Sequence, residues 1–323
     1  MATQLLYQSV EKSKTWDLIN ATESVELESQ RTGSPGKLSF KVHKSGDLAF
    51  APGDPVRFVA DGTTLFFGWV FTASFDRWGQ VEIVAYDRLR YLKASASYAF
   101  YGKTAGQIIQ QIAADFGLTL STIEDTGYAL PSLIMEEKTC LDIISEAVQQ
   151  TLLNTAKMYI FFDDGNGLCL REARNMLSST ALGQNSLVGE FSYKRDIDSQ
   201  TYNSVKLARP NETTGRADTF IAQDTGTIAK WGLLQYYATV DENLNDAQVQ
   251  QQAQQTLAYY DQERKTLSLS SLGVVGLRAG QIVLMMIPNV DGLQAQQLVM
   301  LDSVTHTFQQ GLHTMEIQTL NLF

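Results

Sequence analysis

Two Asp-Thr-Gly triplets, Asp125-Thr126-Gly127 and Asp224-Thr225-Gly226, contain the side chains most readily suited to chemistry. A pair of aspartates sharing one proton activates water in aspartic proteases. That arrangement needs each Asp on a tight loop after an apolar strand, whereas Ile123-Glu124 and Ala222-Gln223 precede them here. Two turns, with Asp and Gly in their usual turn roles, account for both triplets. Asp163-Asp164-Gly165-Asn166-Gly167 has the composition of a calcium loop but lacks the spaced acidic ligands and closing Glu of an EF-hand, and reads as a hairpin turn. His43 stands alone, and His306 and His313 have no cysteine or acidic residue at ligand spacing, so no metal site is expected. Tyr101-Gly102-Lys103-Thr104 ends like a phosphate loop without its earlier glycine, and no Gly-x-Ser-x-Gly elbow occurs. Cys140 and Cys169 are expected to be buried, reduced thiols. No catalytic residue, cofactor or metal is expected.

The elements that would position such groups are mostly strands. Lys37-Leu38-Ser39-Phe40-Lys41-Val42 alternates apolar with polar, and the turn clusters Pro52-Gly53-Asp54-Pro55 and Asp61-Gly62 separate β-rich runs at 56–60 and 64–71. A strand at 81–86 leads through a charged corner at 87–93 and a small-residue link, Ala94-Ser95-Ala96-Ser97, into a helix. Thr104 and Gln107 have capping-box spacing. Ala105, Ile108, Ile109, Ile112, Ala113 and Phe116 share one helical face, and Gly117 ends it. A second helix starts at Thr139 with Asp142 at its positive end and Leu141, Ile144, Ala147, Val148 and Leu152 as its buried stripe. Strands at 158–162 and 168–171 form the hairpin, and 175–189 reads as a long loop or domain boundary. Beyond it, strands are expected at 191–194, 204–208, 219–222, 233–239, 265–270, 281–287, 298–304 and 314–320. One helix interrupts them, capped by Asn245 with Val249, Ala253, Leu257 and Tyr260 on one face.

An internal echo accompanies the strands. Val70, Glu82 and Ile83 match Val304, Glu316 and Ile317 at one common offset, and Pro52-Gly53-Asp54-Pro55-Val56 is answered by Arg278-Ala279-Gly280-Gln281-Ile282-Val283. Phe66, Phe67, Trp69 and Phe71 are too closely spaced to face one core: either they are contacts between subunits or domains, or their strand is buried on both faces within the chain.

At 323 residues, 44% hydrophobic and 19% charged, the chain has ordinary globular composition and room for more than one core. No apolar run reaches the roughly 20 residues of a membrane helix. The N-terminus lacks the basic-then-apolar pattern of a secretion signal. A net charge of −10 argues against general or sequence-specific nucleic-acid binding, although an acidic channel would let DNA pass without adhering.

Tyr86-Asp87-Arg88-Leu89, Lys103-Thr104-Ala105, Ile112-Ala113-Ala114-Asp115-Phe116-Gly117-Leu118, Asp125-Thr126-Gly127, Tyr202-Asn203-Ser204-Val205-Lys206-Leu207 and Asp241-Glu242-Asn243-Leu244-Asn245, in that order, resemble the tail-hub (baseplate hub) proteins of contractile phages and phage-tail-like particles of Gram-positive bacteria. The resemblance touches most of the chain. It implies an α+β, mainly β fold: two small β-barrels of similar topology with an α+β module between them. The expected domains are 1–96, an N-terminal barrel; 97–188, the α+β module; and 189–323, a C-terminal barrel with a helical insertion at about 245–263. It also implies a homotrimer joining the hexameric tail tube to a three-fold spike or tail-tip protein, in contact with baseplate wedge proteins and a tape-measure protein. Such a protein belongs to a virion or phage-tail-like particle assembled in the bacterial host cytoplasm. The competing classes are a tail-associated cell-wall hydrolase or protease, and a carbohydrate-binding β protein.

Overall fold

A computed structural model describes all residues except 44, 45, 47, 184, 185, 199, 212–214, 288–294, 310, 322 and 323. Alternating sequence produces the first group of strands: β1 (Thr3–Ser9), β2 (Lys14–Asp17), β3 (Thr22–Gln30), β4 (Lys37–His43), β5 (Pro55–Ala60), β6 (Thr63–Phe75) and β7 (Gln80–Tyr86). Leu38, Phe40 and Val42 of β4 are buried while Lys41 and His43 are exposed, as a period of two requires.

The charged corner is a 3-10 turn, Arg88–Lys93, followed by β8 (Ser95–Thr104), α1 (Ala105–Asp115), β9 (Leu120–Ile123), β10 (Ala129–Thr139), α2 (Cys140–Thr155), β11 (Tyr159–Asp163) and β12 (Leu168–Glu172). Both capping-box bonds of α1 are made, and Gly117 follows it at φ +62°. Thr139 caps α2, which buries Leu141, Ile144 and Ala147 of the expected stripe together with Cys140, Ile143, Thr151 and Leu153, while Val148 and Leu152 are half-buried. The expected link 94–97 is a correction: Ser95 and Ala96 lie opposite Thr139 and Lys138, so it opens β8. Small side chains gave it no strand pattern, and its partner is supplied from more than forty residues away.

The remainder comprises β13 (Leu177–Gly183), β14 (Val188–Asp196), β15 (Ser204–Asn211), β16 (Arg216–Gln223), α3 (Thr225–Trp231), β17 (Gln235–Thr239), α4 (Asp246–Tyr260), β18 (Arg264–Leu272), β19 (Ile282–Met286), β20 (Gln297–Gln309) and β21 (Leu312–Asn321). The stretch 175–189, expected as a loop, contains β13, which pairs in parallel with β19; its residues 184 and 185 lie outside the described ones. The segment between β14 and β18 also holds more than one helix. β16, β15 and β17 form a separate three-stranded sheet with α3 and α4, and Val205, Leu207, Ala222, Val249 and Ala253 make its core. It docks on the α+β module, where Gln149 Nε2 donates to the Tyr260 hydroxyl at 3.1 Å and Ser132 donates to Asp241.

The main sheet runs β14-β18-β21-β20-β3-β4-β7-β6-β5-β1-β2, with β13 and β19 branching from β20. This is an open path. Among the described residues neither half closes on itself through strand pairing, so the expected barrels are seen as a mainly β fold with two similar halves.

The halves correspond ladder by ladder. The order β3-β4-β7-β6-β5-β1 is repeated as β14-β18-β21-β20-β19-β13, in the same chain order. Val25 opposite Phe40 is matched by Phe191 opposite Leu269, and each pair follows a register shift at the start of β3 or β14. Leu38 opposite Ala85 is matched by Leu267 opposite Thr319. The bulge after Val70 in β6 recurs after Leu301 in β20. Gly53 N donates to Val70 O at 2.8 Å, and Gly280 N donates to Leu301 O at 2.7 Å. Glu82 and Ile83 therefore correspond to Glu316 and Ile317, but Val70 corresponds to Leu301 and Val304 to Ala73. The β6–β7 and β20–β21 connections differ in length, which displaces one strand of the sequence echo relative to the other. The β5–β1 pair is antiparallel and its counterpart, β19–β13, parallel.

Each half encloses one apolar core. Leu5, Leu38, Phe58, Val81 and Ile83 fill the first, and Leu267, Val283, Leu301, Val304 and Ile317 the second. The halves meet where β20 pairs with β3, Ser303 opposite Gln30 through Phe308 opposite Val25.

Candidate functional site

The turn after β7, the β11–β12 hairpin and the segment before β19 converge on a buried ionic joint. Arg88 Nη1 donates to both carboxylate oxygens of Asp163, at 3.0 and 2.9 Å, and the Arg88 amide donates to the same carboxylate at 3.2 Å. Gly165 N completes its shell at 2.8 Å. Asp87 accepts from Gly36 N at 2.7 Å and Leu89 N at 2.9 Å, tying the corner to the β3–β4 connection. From the C-terminal half, Arg278 Nη1 donates to Asp163 O at 2.9 Å, and its guanidinium lies 3.8 Å from the Phe162 ring centroid. Gly36, Asp87, Asp163, Gly165 and Arg278 line a cavity of about 400 Å³.

Burial dominates the electrostatics. It pushes the Asp87 carboxyl well above the usual range, reinforced by Asp163 and opposed by the amides of Gly36 and Leu89. Burial also raises Asp163 while Arg88 opposes it, and lowers Arg278 against the pull of Asp87 and Asp163. Removing either member of a hydrogen-bonded buried ion pair strands the other, so the joint works as a lock between modules. Packing reinforces it: a Cβ on Gly280 would lie 2.6 Å from Ile160 Cγ2.

The four aromatic candidates divide between two places. Phe66 is buried in the first core. Phe67, Trp69 and Phe71 line the side of β6 that faces the corner. Trp69 meets Tyr91 edge-on at 5.3 Å and Phe71 meets Tyr86 at 5.6 Å. Arg88 lies 5.0 Å from the Phe67 centroid, and Arg90 lies 5.1 Å from that of Phe71. This arrangement anchors the corner to the sheet.

The other sequence candidates lie elsewhere. Asp125 accepts from Gly127 N at 3.1 Å in a turn. Asp224, expected in a turn, caps α3 through Gly226 N at 2.7 Å and Thr227 N at 3.1 Å. The two carboxylates thus have separate local duties, one in the loop after β9 and the other at the start of α3. Asp163-Asp164-Gly165-Asn166-Gly167 is a hairpin turn, with Asp164 Oδ1 accepting from Asn166 N and Gly167 N. Burial pushes the Cys169 thiol up to about 11 and raises that of Cys140, and both are free. Among the described residues no group of three or more His, Cys, Asp or Glu is placed to hold a metal ion.

His306 and His313 do meet: Nδ1 and Nε2 are 2.9 Å apart, and the second His306 nitrogen is 2.6 Å from Leu277 O. Their separation of seven residues, on two strands that pair with each other, was the available signal. Asp163 and Arg278 gave less, since turn chemistry and an isolated positive charge sufficed to explain them.

A family model described as YQBQ-like matches residues 25–320. The Bacillus subtilis (strain 168) proteins "Uncharacterized protein YqbQ" and "Phage-like element PBSX protein XkdQ" are each 32% identical to this chain. They align over 93% and 92% of it and over 92% of their own lengths. Among solved structures, a tail protein from Neisseria meningitidis MC58 superposes with a TM-score of 0.73 at 13% identity, covering 100% of this chain and 97% of its own.

Proposed function

The chain belongs to the YQBQ-like family, and from that premise we propose that it is the structural hub of a phage tail or phage-tail-like particle. In this reading three copies join a hexameric tail tube to a three-fold spike or tail-tip protein. Wedge proteins dock outside, and a tape-measure protein or DNA passes along the axis. The relatives supply the setting: one is named as part of a phage-like element, and the fold is shared with a tail protein.

The observation that carries the proposal is the duplication of the six-strand order within one chain. Three chains with two equivalent units present six similar faces, which resolves a mismatch between three-fold and six-fold partners by pseudo-symmetry. Each half surrounds its own core, which fits two small barrels, and the division 1–96, 97–188 and 189–323 is proposed with them, adjusted so that β8 stays whole in the α+β module and β13 goes with the second barrel. Phe67, Trp69 and Phe71 are assigned to holding the 86–91 corner, which leads from the first barrel into the α+β module. The ionic joint suits an adaptor that must transmit load without changing shape. A charge of −10 per chain makes the ring acidic, so a passing polyanion is repelled within roughly a Debye length of 8–10 Å.

Cosedimentation of the purified chain with tail-tube polymers and with the spike protein tests this reading. Binding to both is expected. Binding to neither, or clearing of peptidoglycan or casein that disappears in an Asp125→Asn/Asp224→Asn variant, would overturn it in favour of a hydrolase.

A further inference from the structure

The β11–β12 hairpin that carries Asp163 also holds the chain's one Asn-Gly step, Asn166-Gly167. Such a step is inclined to deamidate, because glycine has no Cβ to hinder attack by its nitrogen on the Asn side chain. The Gly nitrogen gives its proton to solvent and bonds to Asn Cγ. The Cγ–Nδ2 bond breaks, ammonia leaves with a proton regained from solvent, and a cyclic succinimide remains. Water then opens the ring to aspartate or isoaspartate. The reaction therefore needs a Gly N–H that can ionise and a peptide that can turn toward the Asn side chain.

The hairpin withholds both. Asn166 is exposed, so solvent reaches it, but Gly165 and Gly167 on either side are buried. Asp164 Oδ1 accepts from Gly167 N at 3.0 Å and from Asn166 N at 2.8 Å. Ser121 Oγ, on β9, donates to Asp164 Oδ2 at 2.5 Å and so fixes the carboxylate. A charge-assisted bond of this kind favours the protonated nitrogen over its anion. The peptide is fixed as well. Gly167 O accepts from Asp164 N at 3.0 Å, and Leu168 N donates to Thr119 O at 2.9 Å. A Cβ on Gly167 would lie 2.7 Å from Leu120 C and Ser121 N, so this backbone lies directly against β9.

We propose that Asn166-Gly167 is a latent modification site, a succinimide-forming step kept shut by the Asp164 carboxylate while the hairpin is closed. Isoaspartate would add one carbon to the main chain inside the turn. That turn includes Gly165, whose N–H donates to Asp163 Oδ1 at 2.8 Å, so the modification would reach the buried joint. The converse also holds: opening the hairpin releases Gly167 N and admits the reaction. The fraction of Asn166 converted therefore records how long the hairpin beside the joint has spent open.

The test incubates the full chain at neutral pH and follows the Asn166-containing fragment by proteolysis and mass spectrometry. Three samples are compared: the folded native chain, the same chain unfolded in urea, and a folded Asp164→Ala variant. The folded native chain is expected to convert at least about a hundredfold more slowly than the unfolded one, and Asp164→Ala about tenfold faster than the folded native chain. Equal rates in the folded and unfolded native chain would overturn the protection. An Asp164→Ala rate equal to that of the folded native chain would overturn the role of the carboxylate, and the proposal with it. Should Asp164→Ala fail to fold, as read from tryptophan fluorescence, Ser121→Ala decides. That change leaves Asp164 in place without the hydroxyl that fixes it, so faster conversion is expected, and an unchanged rate would overturn the proposal.

Discussion

Arg88 and Asp163 show how a few side chains can hold large pieces together. The pair is almost fully buried, with side-chain exposures of 9% and 1%. Replacing Asp163 by Asn should destabilise the chain by about 3–5 kcal/mol, because the guanidinium is left buried without its counter-charge. Urea unfolding followed by tryptophan fluorescence would measure this, and a loss below about 1 kcal/mol would show that the joint is not a lock. The histidine pair gives a pH signature. Burial, with His306 beside it, pushes the His313 pKa down from 6.5 to about 4. Between those values the unfolded chain binds more protons than the fold, so stability present above about pH 6.5 is lost as the pH falls toward 4. The thermal midpoint should decline over that window, and a His306→Phe/His313→Phe variant should decline less; identical slopes would contradict the assignment. The ionic joint was not legible as a cluster in the sequence. Asp163 sits in a stretch that turn chemistry explains completely, and Arg278 is separated from it by more than a hundred residues. Only tertiary structure joins them.

At the level of elements, periodicity and capping were legible where local chemistry decides. Thr104, Thr139 and Asn245 each cap the helix expected of them. The elements missed were mostly those whose stability comes from distant partners, among them β8 with its partner β10, β9 beside β12, β13 beside β19, and α3. Polar Ser178-Ser179-Thr180 hides β13, and Asp224-Thr225-Gly226 looks like a turn because Asp and Gly serve turns and helix starts alike. The repeat was legible at Gly53 and Gly280, which adopt φ +93° and +88° before equivalent strands. These glycines yield a comparative prediction. Gly53→Ala meets nothing within 4 Å, so its cost is conformational, about 1–2 kcal/mol. Gly280→Ala meets Ile160 as well and should cost about 1–3 kcal/mol more. Equal losses in chemical denaturation would mean that Ile160 moves aside and that the joint is softer than described.

At the scale of the whole molecule, two equivalent sheet halves are held rigidly about a buried joint, with the α+β module and the β15–β17 sheet packed together at the side. Such an architecture favours a role in geometry over one in catalysis, and two similar faces on one chain are what the proposed conversion between symmetries requires. The sequence echo hinted at this, but the unequal β6–β7 and β20–β21 connections blurred its register until the ladders were compared. The most direct measurement is a reconstruction of the assembled particle without imposed six-fold symmetry. Three copies between tube and spike, around an open channel and with six similar sheet halves facing the tube, are predicted. Six copies, or a single copy on the outer baseplate, would contradict the account.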